Sequence, residues 1–155
     1  MRQTVQNENM TSASREPAKQ IVVGVDGSSS SIAAAEWATR QAKFTRCSLH
    51  AITAWHLPTN FGYAMPVPEG FDPAAEATKV LDDAVAKLHA GYPSVEIHTS
   101  VTEGYTAQIL VEASTGADLL VVGSRGHGEF AGMLLGSVSE HCVAHAHCPV
   151  LVFRH

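Results

Sequence analysis

This 155-residue chain reads as a single α/β domain, an open, doubly wound, five-stranded parallel sheet with helices on both faces. Three observations point there. Short apolar runs alternate with stretches of helical periodicity, and five such runs are separated by four connections long enough to cross the sheet. The first and fourth runs are continuous rather than alternating, as in strands buried on both faces.

The elements follow in order. Gln20 to Asp26 is the first strand and stops at Asp-Gly. Four serines then precede Ile32, Ala35, Ala38 and Ala42, whose spacing predicts a serine-capped amphipathic helix ending near Arg46. Leu49 to Trp55 is the second strand. Asp72-Pro73 supplies a cap and a first-turn proline for a second helix, with Leu81, Ala84, Val85 and Leu88 on one face before Gly91. Val95, Ile97, Thr99 and Val101 alternate as a third strand, and Thr106, Leu110 and Ala113 mark a third helix. Leu119 to Gly123 is the fourth strand, Ser137 begins the last helix, Pro149 ends it, and Val150 to Phe153 is the fifth strand. The result is Rossmann-like, so a ligand belongs outside the carboxyl ends of the strands, just after strands one and four.

Residues 1–19 have no periodicity and carry Glu-Pro near their end, which predicts a flexible N-terminal tail before one domain over 20–155. The tail lacks the apolar centre of a signal peptide, and the three cysteines are an odd count, so a reducing, cytoplasmic location is expected. No apolar run approaches the roughly 20 residues of a membrane span. A net charge of -5 and a pI near 5.9 argue against a surface built to neutralise nucleic-acid phosphates. Any anionic ligand must be held locally.

The segment after the fourth strand can do that. Gly123, Gly126, Gly128, Gly132 and Gly136 lead into the helix at Ser137, and a loop so rich in glycine can turn its N–H groups inward as an anion nest beside a helix N-terminus. Arg125 and His127 add charge or donors. Ser137 with Glu140 equally fits a capping box that needs no ligand.

Gly123, Gly126 and Gly136-Ser137 fit the spacing G-x2-G-x9-G-[ST], and from about Gln20 to Arg154 the chain resembles the universal stress protein family. The resemblance implies an ATP-like ligand, with AMP or another adenine nucleotide as alternatives and Mg2+ accompanying the phosphates. It implies phosphates on Gly123, Gly126, Gly136 and Ser137, with Val138 and Ser139 continuing the amide cradle and Gly24, Ser124 and Arg125 among the nucleotide-binding residues. Asp26 would lie at the ribose or adenine, Ala54 would read the adenine edge through its backbone, and Val122 would be an apolar neighbour of the base. It further implies a homodimer through Val150, Leu151, Val152 and Phe153, which agrees with the need of an exposed strand edge for a cover. Replacing Gly123, Gly126 or Gly136 with a bulky residue is expected to abolish binding while the fold survives. A stress-response binding module that also meets a downstream protein is the leading function. A slow ATPase using Arg125 with Glu129 or His127, and a nucleotide-free interaction domain, are the alternatives.

Other motifs fare worse. Gly126, Gly128 and Ala131 match a dinucleotide fingerprint, but after the fourth strand instead of the first and without a following acidic residue. No Gly-Lys-[ST] is present for a Walker loop, and neither the acidic cluster nor the late lysine of a receiver domain exists. His141, Cys142, His145, His147 and Cys148 invite a metal reading, yet they lack HExxH or a second Cys/His pair, so no metal is expected. His56 to Phe71 is long for a connection and is expected to be a lid or a partner surface through Phe61, Tyr63 and Met65.

Overall fold

The computed structural model describes residues 19–60, 62–127, 132 and 134–154. The tail expected over 1–19 lies outside these except for Lys19, whose carbonyl accepts from the Ser48 amide at 3.0 Å.

Strand β1 (Gln20–Gly24) leads into α1 (Ser29–Thr45), where Ser28 is the cap and its hydroxyl accepts from the Ser31 amide. Strand β2 (Ser48–Trp55) is followed by a two-stranded hairpin, β3 (Thr59–Asn60) and β4 (Tyr63–Ala64). Helix α2 (Pro73–Gly91) is started by Asp72, whose Oδ1 accepts from the Ala74 and Ala75 amides at 3.0 and 3.2 Å. Then come β5 (Ile97–Glu103), α3 (Thr106–Ala113), β6 (Leu119–Gly123), α4 (Ser137–His145) and β7 (Val150–Phe153). The hairpin is the one pair of strands that the sequence reading did not anticipate. Thr59 pairs with Ala64 and Asn60 with Tyr63, and Gly62 takes φ +81° at the return, a conformation open to glycine. Phe61 lies outside the described residues.

The main sheet has the order β5-β2-β1-β6-β7 with every pair parallel, so the fold is the predicted doubly wound one. Alternation along the strands divides the core in two. Ile21, Val23, Val25, Leu49, Ala51 and Val121 face α1 and α2, while Val22, Ile52, Leu120 and Val122 face α3 and α4. Ala34, Ala35, Ala38 and Ala42 are all buried, and these small side chains let α1 lie close on the sheet. Where Val95 was expected to open the third strand, it is buried just ahead of β5, its amide held by the Tyr92 carbonyl at 3.1 Å. Among the described residues no helix is long and apolar enough to cross a membrane.

Candidate functional site

Because β1 and β6 are neighbours while their following helices go to opposite faces, a crevice opens over their carboxyl ends. It holds a cavity of about 440 Å³. Gly24, Asp26, Val122, Gly123, Arg125, Gly126, Gly136, Ser137, Val138 and Ser139, all proposed from sequence, line it together. Ala54 and Ser124 do not. Ala54 sits in β2, where its register partner in β5 is Thr102. Ser124 is buried, and its backbone is engaged at both ends, its amide donating to the Phe153 carbonyl at 2.8 Å and its carbonyl accepting from Gly136 at 2.7 Å.

The start of α4 differs from the capping-box alternative. Gly136 is the cap, Ser137 is the first helical residue, and no side chain caps the helix. The Glu140 amide reaches back to the Gly136 carbonyl at 3.0 Å, so the helix geometry leaves the N–H groups of Ser137, Val138 and Ser139 without intrahelical acceptors at the cavity wall. With the helix dipole behind them, these three donors suit an anion. The Ser139 hydroxyl is committed elsewhere, donating to the Gly123 carbonyl at 2.6 Å, which ties the helix to the strand end.

Asp26 does two things at once. Its Oδ1 accepts from the Ser28 amide at 2.9 Å, the turn that Asp-Gly predicts, while Oδ2 faces Gly126, where an added Cβ would come within 2.8 Å of it. A ligand therefore has one carboxylate oxygen to donate to. Ser31 stiffens the same turn, its hydroxyl accepting from the Asp26 amide at 3.2 Å and donating to the Ser28 carbonyl at 3.0 Å.

Two glycines of this region serve the fold as much as any ligand. A Cβ on Gly24 would stand 2.9 Å from Leu110 Cδ1, so glycine there admits α3. A Cβ on Gly123 would stand 2.6 Å from Ser30 Oγ and 2.9 Å from the Ser30 carbonyl carbon, so the first turn of α1 rests on the end of β6. The expectation that a bulky residue at Gly123 spares the fold is thereby corrected. A Cβ on Gly136 would meet Arg125 Cα at 3.4 Å and the Ser124 oxygen at 3.5 Å, close to ordinary contact.

The sequence reading missed Val25, Ser31, His56, Thr106 and Leu110 as lining residues. Thr106 and Leu110 belong to a helix that starts two strands away in the sheet, and nothing local in the sequence carries that proximity. His56 stacks at the rim on Tyr105, with ring centroids 5.6 Å apart. It is the one residue of the 56–71 stretch that lines the cavity among the described residues, whereas Tyr63 and Met65 are exposed.

The cysteines and histidines near the C-terminus spread over different surroundings. Cys142 is fully buried, and burial pushes its thiol up to about 11. Burial likewise raises Cys148, with Asp118 adding to the effect and a hydrogen bond at Leu120 opposing it. The rings of His141 and His145 lie 4.4 Å apart on the exposed side of α4. Gly128, Glu129 and Ala131, which the dinucleotide and hydrolase alternatives invoke, lie outside the described residues. At the sheet margin, Val150, Leu151, Val152 and Phe153 are all half-buried, and among the described residues β7 pairs only with β6.

A family model described as the universal stress protein family matches residues 17–154. Universal stress protein Rv2624c of Mycobacterium tuberculosis is 36% identical over 137 residues, covering 88% of this chain and 48% of the relative. The chain thus spans about half the length of the curated relatives it matches. A universal stress protein solved in complex with cAMP is similar with a TM-score of 0.66 and 30% identity, covering 87% of this chain and 95% of that one. An Arabidopsis thaliana family protein with AMP bound shares the fold, with a TM-score of 0.61 at 23% identity over 88% and 92% of the two chains.

Proposed function

Because the chain belongs to the universal stress protein family, we propose that it binds an adenine nucleotide, ATP above all, in the crevice between the ends of β1 and β6, and works as a stress-response binding module. The observation that carries this reading is the uncapped start of α4, whose Ser137, Val138 and Ser139 amides border the same cavity as the Asp26 carboxylate. Phosphate oxygens fit the first and a sugar hydroxyl the second, which is the division of labour that a nucleotide needs. A cavity of about 440 Å³ is in the range of small-molecule sites. The family relative solved with cAMP, at 30% identity, supports adenine as the base. Mg2+ would enter with the triphosphate.

Residues 20–155 act as one unit in this reading, and the unit pairs with a second copy. The half-buried edge of β7 leaves backbone groups to be covered, and twofold pairing of Val150 to Phe153 with a second copy would satisfy them.

The test begins by unfolding the purified protein and identifying any released nucleotide by chromatography. Calorimetric titration of ATP, AMP and NAD follows, with and without Mg2+. Micromolar binding of adenine mononucleotides, little binding of NAD and no phosphate release over hours are expected. Steady phosphate release would move the reading to a slow ATPase using Arg125, and no adenine-nucleotide binding would overturn it.

A further inference from the structure

We propose that His127 is a positioning residue of this site: by holding the Asp26 carbonyl across the crevice it keeps the Asp26 carboxylate aimed at the ligand and sets how long a nucleotide stays bound. The proposal rests on the adenine-nucleotide reading above.

His127 Nε2 lies 2.5 Å from the Asp26 carbonyl oxygen. A carbonyl can only accept, so Nε2 carries the hydrogen and donates. This is the one hydrogen bond among the described residues that joins the loop after β6 to the turn after β1. The other partners of Asp26 are local, since its amide goes to Ser31 Oγ and its Oδ1 receives the Ser28 amide. Three of its four polar atoms are therefore committed, and only Oδ2 remains for a ligand. Two of those commitments lie within the β1–α1 turn itself. The third alone braces that turn from the opposite wall, so its loss leaves the two local bonds freer to open.

The neighbouring backbone makes the tie matter. Gly27 follows with φ +83°, a conformation open to glycine, so no side chain of that residue helps to hold the peptide between Asp26 and Gly27. A Cβ at Gly27 would lie 3.8 Å from His127 Nε2, so the imidazole passes directly over that peptide. Anchoring the carbonyl orients the peptide plane and, through it, the side chain whose Oδ2 faces Gly126. The same bond draws the glycine-rich wall, with Arg125 and Gly126, towards Asp26. His127 thus acts through Asp26 and through the closeness of the two walls.

The test uses the full chain with His127→Ala and His127→Gln, and reads dissociation of radiolabelled ATP by rapid filtration. His127→Ala should release ATP about tenfold faster with association little changed, as expected for the loss of one hydrogen bond that orders a binding wall. Glutamine can donate an amide N–H to the same carbonyl, so His127→Gln should stay within about threefold of the unaltered protein. Amide hydrogen exchange on the nucleotide-free protein gives a readout that needs no ligand. Asp26 and Ser28 should exchange several-fold faster in His127→Ala while Val22 and Val121 in the core do not. Unchanged ATP release in His127→Ala would overturn the proposal. If the unaltered protein binds no ATP, the nucleotide reading falls, and unchanged exchange at Asp26 and Ser28 would then reject the tie as well.

Discussion

The Gly136 amide donates to the Ser124 carbonyl at 2.7 Å, closing the glycine-rich loop at its base so that the first turn of α4 is held against the end of β6. The Ser139 hydroxyl on the Gly123 carbonyl, at 2.6 Å, doubles the attachment one turn on. Since these bonds use the Gly136 amide and the Ser139 hydroxyl, the donors left for an anion are the backbone amides of Ser137, Val138 and Ser139.

Removing one of those amides without disturbing the helix is feasible at Ser137. Proline is favoured at the first helical position, and Gly136, at φ -74° and ψ 163°, already has the extended conformation that a residue before proline requires. Ser137→Pro should therefore keep the melting temperature within a few degrees while weakening ATP by about tenfold. Ser137→Ala, which keeps the N–H, should bind more tightly than the proline variant in the same calorimetric titration.

Gly123 is where a single methyl group should damage the fold. Its Cβ would press on backbone and hydroxyl of Ser30 at 2.9 and 2.6 Å, and Ser30 is itself buried with no hydrogen-bond partner for Oγ. Gly123→Ala should cost about 1–3 kcal/mol in urea unfolding, the ordinary penalty of overpacking. Ser30→Gly in the same chain should return part of that loss by removing the Oγ contact; if the two changes simply add, the steric account is wrong.

Asp26→Asn separates turn from ligand. An asparagine oxygen can still accept the Ser28 amide, whereas the charge and the second acceptor oxygen are lost. Stability should change by less than about 1 kcal/mol, and ATP affinity should fall about tenfold or more. A loss of stability with affinity retained would confine Asp26 to the turn.

His50 makes stability depend on pH. Its Nε2 lies 2.7 Å from Ser100 Oγ, and burial, followed by the nearby His98, lowers its pKa from the usual value of about 6.5. Below that value the unfolded chain takes up a proton that the folded protein refuses. This contribution is therefore complete above about pH 6.5 and is lost as pH falls through the lower, folded value. His50→Gln should flatten the decline of the urea midpoint between about pH 7 and 5 relative to the unaltered protein.

Much of the fold was legible in the residues because it depends on local chemistry. Continuous apolar runs marked β1 and β6 at Ile21 to Val23 and Leu119 to Val122, Asp72-Pro73 marked the start of α2, and the alanines of α1 marked its buried face. The glycine spacing located the loop, and the topology of alternating strands and helices placed it beside Asp26. The β3–β4 hairpin escaped because two-residue strands bounded by prolines carry too short a pattern for period-two alternation to register.

What each glycine does could not be read from spacing. Gly24 admits Leu110, Gly123 admits Ser30, Gly126 faces Asp26 and Gly136 closes the loop on Ser124, four roles within one apparent ligand motif. The reach of His127 to Asp26 is likewise a matter of a few ångströms between segments far apart in the chain. Propensity and periodicity act over a handful of neighbouring residues and so specify elements and their order. Contacts between elements arise only when the sheet twists, the helices settle on it and the packing selects which polar atoms are satisfied and which are left for a ligand.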